Sequence, residues 1–182
     1  FVAWTRAQPA PVAYGSAGAG TPGHLAGEMF RVRTGAALTH VPYRGSAPAV
    51  QDLAAGHIPA MFDPVQSPLG QIQAGRVRAL AVSAPARSPA LPEVPTMAEA
   101  GVPGHEMVAW WAVAAPRAVP EPAAARLAAE IGRIAQRPDW REGLARLGIS
   151  PMLLQEEELA AFLDQERRRW GEAVRVSGAS AD

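Results

Sequence analysis

The sequence predicts an α/β fold: a parallel-type sheet flanked by helices, followed by a tail of helices. Two observations carry that reading. Three strand–helix units of similar length follow one another between Val12 and Gly75. Such alternation builds a parallel sheet, because each helix crosses back over it. Beyond Pro116 the apolar residues recur only at helical spacing, so the tail has no strands of its own.

Residues 1–8 (FVAWTRAQ) read as the end of a helix, closed by Pro9 and Pro11. The first residue is Phe, no signal-peptide pattern opens the chain, and a start inside a longer parent protein is expected. A first strand is expected over 12–15 and a helix from Pro22 to Arg33, stopped by Gly35. A second strand follows at 37–41, then a helix with Ser46 as its N-cap and Val50 and Leu53 inward, stopped by Gly56. A third strand covers 58–62. Val65, Leu69 and Ile72 then lie at helical spacing up to Gly75, and a fourth strand covers 77–82.

The pattern then changes. Residues 83–95 carry prolines at 85, 89, 92 and 95 and read as an extended surface loop. Thr96 and Glu99 form a capping box for a short helix ending at Gly101, and Pro103-Gly104 marks a turn. Residues 108–115 (VAWWAVAA) read as an apolar strand. Three helices complete the chain. One starts at Pro122 with Leu127, Ile131 and Ile134 on one face. Another starts at Pro138 with Trp140, Leu144 and Leu147 and closes at Gly148. The last covers about 156–176, with Leu159, Phe162, Leu163, Trp170 and Val174 inward and Glu156, Glu157 and Glu158 in its first turn.

Composition narrows the function. Hydrophobic residues make up 48% of the 182, enough for a core. The formal net charge is zero with no basic run, which argues against a nucleic-acid partner. Cysteine is absent, which removes disulfides, thiol catalysis and cysteine metal sites. Every cation is an arginine, a compositional bias rather than a motif. The longest strictly apolar run, 107–115, is too short to span a bilayer.

The chemistry concentrates in residues 12–30, VAYGSAGAGTPGHLAGEMF. A strand gives way to a loop of small and hydroxyl residues, and Pro22 then opens a helix, the position where its missing N–H matters least. The amides of a first helical turn lack intrahelical partners, and the dipole favours negative charge there. The stretch is suited to a carboxylate or phosphate. Gly18, Gly20 and Gly23 also spell the dinucleotide fingerprint G-x-G-x-x-G, so a nucleotide (NAD/NADP)-binding enzyme is the alternative reading. That fingerprint needs an acid at the end of the next strand, where this chain has Thr39, His40, Val41, Pro42, Tyr43 and Arg44. Ser16 lies in Gly15-Ser16-Ala17-Gly18, not in a G-x-S-x-G elbow. The four histidines show no metal-ligand spacing. Asp63 closes the third strand, at the sheet edge where α/β folds bind ligands; helix capping and ligand contact are equally open to it. Trp110 and Trp111 are adjacent on an expected strand, so one faces the core and the other a cleft or interface.

Several blocks in order resemble the Bug-type solute-binding proteins, the receptors of tripartite tricarboxylate transporters. They are YGSAGAGTPGHLAGEMF, HVPYRGSAPAVQDLAAGHIPAMFD, AGRVRALAVSAPARSPALPEVPTMAEAGVPG, the tryptophan pair before Pro116, and FLDQERRRWGEAVR. The resemblance implies a periplasmic-binding-protein-like fold whose two lobes close on a small carboxylate in Venus-flytrap fashion. Residues 1–107 would be the continuous α/β ligand-binding lobe, and 108–182 the hinge strand and C-terminal helices of the other, incomplete lobe. The family's N-terminal part is not in this sequence. By resemblance the ligand-binding residues are Ser16, Ala17, Gly18, Gly20, Thr21, His24, Tyr43, Arg44, Gly45 and Asp63. Ala19, Pro22, Gly23 and Ala112 depart from the residues common in the family, so a relative's ligand does not transfer. The implied protein is a non-catalytic periplasmic receptor with no cofactor and no metal. Its partners would be a small carboxylate (dicarboxylate, tricarboxylate, amino acid or aromatic acid) and the membrane subunits of the transporter. Self-association through the incomplete lobe is a further expectation, since Leu127, Ile131, Phe162 or Trp170 would lack a cover.

Overall fold

The computed structural model describes residues 1–154 and 156–179. Its elements run α1 (Val2–Arg6), β1 (Val12–Ser16), α2 (Pro22–Thr34), β2 (Leu38–Pro42), α3 (Ser46–Ala55), β3 (Ala60–Met61), α4 (Leu69–Gln73), α5 (Glu121–Ala135), α6 (Pro138–Arg146) and α7 (Glu156–Ser177). The three strands form one parallel sheet in the order β2-β1-β3, with Val12 opposite Leu38 and Tyr14 opposite both His40 and Ala60. The parallel arrangement is the one the strand–helix alternation demands.

The core lies between this sheet and α2. Val12, Tyr14, Phe30, Ala36, Leu38 and Ala60 form one buried cluster, with Phe62 packed against it. Tyr14 sets how close α2 comes. Its ring fills the space where Gly27 would carry a Cβ, 2.3 Å from the nearest ring carbon, and its hydroxyl donates to His24 O at 3.1 Å and to Glu28 Oε1 at 2.9 Å. Leu25 and Ala26, on another face of α2, pack with Met107 and with Ala173 of α7.

The sheet is smaller than the sequence predicts. The third strand shrinks to two residues, because Pro59 brings no N–H to the ladder. The expected fourth strand at 77–82 is absent apart from a single bridge between Val82 and Thr96, since so short a β3 offers almost no edge to pair with. The proline-rich loop is not wholly superficial: Leu91 and Val94 are buried with Leu69 and Val82 in a core cluster of their own. Thr96 and Glu99 make both bonds of the capping box, at 2.8 and 3.1 Å, but close a turn rather than a helix. Ser46 is not an N-cap; it is the first residue of α3, and Gly45 precedes it in the cap position. Residues 108–115 form neither strand nor helix and have no ladder partner among the described residues. A strand needs a neighbour for its amides and carbonyls, and the described chain offers none there.

Helices α5 and α6 form where expected, but their apolar faces stay open. Leu127, Ile131 and Ile134 of α5 and Trp140 of α6 are exposed, as is Leu147 just beyond it. A groove of about 490 Å³ lies there, between Ile134, Trp140, Leu144 and Leu147. On α7, Leu159, Phe162, Leu163 and Trp170 are half-buried and Val174 is exposed.

Candidate functional site

Two turns meet at the carboxyl end of the sheet. The loop after β1 runs from Ala17 to Thr21, and the loop after β2 from Tyr43 to Gly45. Backbone bonds join them: Tyr43 N donates to Ser16 O at 3.1 Å, and Gly45 N to Ala17 O at 2.9 Å. Phe62 N donates to Gly15 O at 3.1 Å, bringing the end of β3 to the same place. Gly23 is needed at this junction. A Cβ there would sit 2.2 Å from Phe62 O, so only a glycine lets α2 start this near the strand end.

A cavity of about 170 Å³ opens beside the junction, lined by Ala17, Thr21, Pro22, Gly23, Ser46, Asp63, Pro64, Ala109, Trp110 and Trp111. It shares no residue with the larger groove between α5 and α6, which is a plain crevice between two helices. The first turn of α2 and the start of α3 both border it. The amides of Ala17, Gly23 and His24 take no partner among the described residues, so donors remain on two lining residues, Ala17 and Gly23.

Asp63 holds the unpartnered buried side-chain oxygens of this wall among the described residues. Both its carboxylate oxygens are buried and neither has a hydrogen-bond partner among the described residues. Burial pushes its pKa up. Ser67 and Ser46 lie near enough to oppose that shift, though neither reaches hydrogen-bonding geometry. A buried, unpaired carboxyl beside a hollow is poised to meet a donor that arrives with a solute.

The other expected ligand residues divide by position. Ser16 is fully buried. Its Oγ lies 2.7 Å from His40 Nε2 and 3.0 Å from Gly18 O, and it accepts from Gly18 N at 3.2 Å. Thr21 Oγ1 donates to Gly18 O at 2.7 Å. His24 Nδ1 accepts from Gly20 N at 3.0 Å, which leaves its proton on Nε2, and its ring stacks on His40 at 3.9 Å. Burial lowers the pKa of both rings, that of His40 to about 4. The amides of Gly18 and Gly20, expected to face a ligand, are therefore spent on the chain itself. These residues brace the loop, while Ala17 and Thr21 border the hollow.

Tyr43 packs over Gly15 and donates its hydroxyl to Asp52 Oδ2 at 2.7 Å. Arg44 is exposed, and neither it nor Gly45 lines the cavity. Seven lining residues were not among the expected ligand contacts: Pro22, Gly23, Ser46, Pro64, Ala109, Trp110 and Trp111. A signal for Ser46 existed, since a helix start at the end of a second strand faces the same edge as the first. The place of Trp110 rests on a contact with α7 that no local pattern announces.

The sequence profile of TctC, the tripartite tricarboxylate transporter family receptor, matches residues 1–178. The chain belongs to this family. Among TctC-family relatives, the chain is 45% identical over 170 residues to the UPF0065 protein in the tcbD-tcbE intergenic region of Pseudomonas sp. (strain P51), covering 93% of this chain and 51% of that one. It is 36% identical over 179 residues to the protein BugT of Bordetella pertussis, covering 98% of this chain and 55% of BugT. It thus spans about half the length of these curated relatives. Among solved structures, an R. palustris protein with adipate superimposes with a TM-score of 0.89 at 32% identity, over 98% of this chain and 60% of that one. MatC from Rhodopseudomonas palustris, with bound malate, superimposes at 0.81 and 30% identity, over 96% and 60%. The α/β fold is therefore that of periplasmic binding proteins. The Gly18-x-Gly20-x-x-Gly23 pattern lies at the turn from β1 into α2, and the adjoining hollow of about 170 Å³ is small beside ligand pockets of roughly 300–1,000 Å³.

Proposed function

We propose that this chain carries much of the ligand site of a periplasmic receptor that captures a small carboxylate for a tripartite tricarboxylate-type transporter. One observation supports it most directly. Unpaired amides on Ala17 and Gly23 and the unpartnered carboxyl of Asp63 border one cavity, at the start of α2. The ligand's carboxylate would sit against the amides, where a helix start favours an anion. Asp63 would select a hydroxyl or amino group on the remainder of the ligand. Ser16, Gly18, Gly20 and His24 would hold the loop, Tyr43 and Gly45 would carry the second loop, and Arg44 would add positive charge from outside. Two similar solved structures, one with adipate and one with bound malate, favour this class of solute. In this reading residues 1–107 are the ligand-binding lobe and 108–182 belong to the opposing, incomplete one.

Energetics fix the expected strength. Each hydrogen bond to a charged group contributes about 1.5–3 kcal/mol before ordering costs, and a helix start up to about 2 more. A site with one wall open to water should retain about −4 kcal/mol, a millimolar affinity. Titration calorimetry of the chain with malate, adipate, glutamate and benzoate should find at least one millimolar binder and no binding of NAD or NADP. Stabilisation by NAD or NADP with no response to any acid would reject the receptor reading.

A further inference from the structure

Trp110 is part of the cavity wall, yet residues 108–115 belong to no strand that could hold it. Its anchor lies on α7. Trp110 Nε1 donates to Glu166 Oε2 at 3.0 Å, and Trp170 Nε1 donates to the same oxygen at 2.8 Å. Arg169 Nη1 pairs with the other oxygen, Oε1, at 2.8 Å. Glu166 is 3% exposed, so these three groups replace its water. Phe162, one turn earlier on α7, meets the Trp110 ring edge to face at 5.5 Å. Further along, Trp170 and Ala173 rest against Leu25 and Ala26 of α2. The wall and the amide-bearing helix are thereby tied through α7.

We infer that Glu166 is a positioning residue: it fixes Trp110 as a wall of the cavity and so sets the length of acid the cavity accepts. The length claim rests on the receptor reading above. A buried carboxylate is suited to the task, because one oxygen takes two indole N–H groups while the other holds Arg169. An apolar residue of equal size would pack there but would leave both indoles unpaired. Without the N–H tether the ring turns about its own side-chain bonds, and the far wall loses its fixed distance from Ala17 and Gly23.

The test compares Glu166→Gln, Glu166→Ala and Trp170→Phe with the unchanged chain. Indole N–H exchange is followed by NMR, and malate and adipate are titrated in parallel. Glu166→Gln and Glu166→Ala should speed exchange at the Trp110 indole about tenfold and narrow the malate-to-adipate affinity ratio by about tenfold, the scale of a mis-set apolar wall. Trp170→Phe should lower stability but leave Trp110 protected and the ratio unchanged. If neither Glu166 variant folds, indole exchange in the unchanged chain decides the tether, with Trp110 exchanging as fast as the exposed Trp111 overturning it. Trp110→Phe, which removes the N–H and part of the wall together, should then shift the ratio while Trp170 stays protected. Unchanged Trp110 exchange in a folded Glu166→Gln overturns the tether. Faster exchange with an unchanged ratio overturns the length claim. If the unchanged chain binds neither acid, the length claim fails; the receptor reading falls only if glutamate and benzoate fail as well, and the exchange data still decide whether Glu166 holds Trp110.

Discussion

Phe30 and Leu127 both lie on the apolar stripe of a long helix, yet Phe30 is 4% exposed and Leu127 is 55% exposed. Phe30 belongs to α2, which has a sheet to lie on. Leu127 belongs to α5, whose apolar face meets no sheet among the described residues. Both helices carry apolar residues at helical spacing, more sharply segregated on α5 than on α2, yet only α2 lies on a sheet among the described residues. Amphipathic spacing states that a face wants to be covered; the cover itself must come from elsewhere. The same contrast separates β1, paired on both sides, from residues 108–115, paired on neither among the described residues.

Substitutions test this contrast, and the largest effect belongs to the covered side. Phe30→Ala empties the middle of the core and should lower unfolding free energy by about 3–5 kcal/mol in urea titrations. Acid should come next. Burial, reinforced by Arg33, holds the His105 pKa down at about 4, and neither ring nitrogen has a partner among the described residues. The unfolded chain binds that proton near pH 6.5, so stability is full above this pH and is lost as pH falls toward about 4. His40 acts in the same direction. The expected loss is about 1–3 kcal/mol per ring, and His105→Phe should flatten the curve by its share in a pH series of denaturant melts.

Gly23→Ala drives a methyl group into Phe62 O and should cost about 1–3 kcal/mol while spoiling the cavity, readable by melting and by titration with malate. Asp63→Asn has a smaller effect of opposite sign. Burial raises the Asp63 pKa, so its penalty is complete above the folded pKa and vanishes below the unfolded one. The asparagine should therefore be the more stable form at pH 7, with the advantage fading in acid. The smallest change should come from Leu127→Ala, within about 0.5 kcal/mol. A loss of several kcal/mol there would mean that α5 is covered in solution, and the contrast with α2 would fall.

Most of the fold was legible wherever local signals agree. Pro22 and Gly35 bracket α2, Gly56 ends α3, and the strand–helix rhythm gave the parallel sheet. The reading failed where pairing decides. Residues 77–82 and 108–115 have strand-like composition, but a strand exists only against a neighbour, and β3 is too short to supply one. At the site, the loop after β1 and Asp63 could be found from their place at the sheet edge. Which amides stay free could not, because Gly18 and Gly20 bond to side chains of Ser16 and His24 that bend back on the loop. The link from Trp110 to Glu166 crosses 56 residues and leaves no periodic trace.

The contact between Tyr14 and Gly27 reaches further than its own surroundings. Because the phenol ring fixes how closely α2 lies on the sheet, it also fixes where the amides at that helix's start stand beside the strand ends. The placing of the proposed anion-binding end is thus inherited from a buried side chain outside the cavity wall. A methyl group added at Gly27 would act as a lever, felt at the mouth of the cavity as well as against the Tyr14 ring.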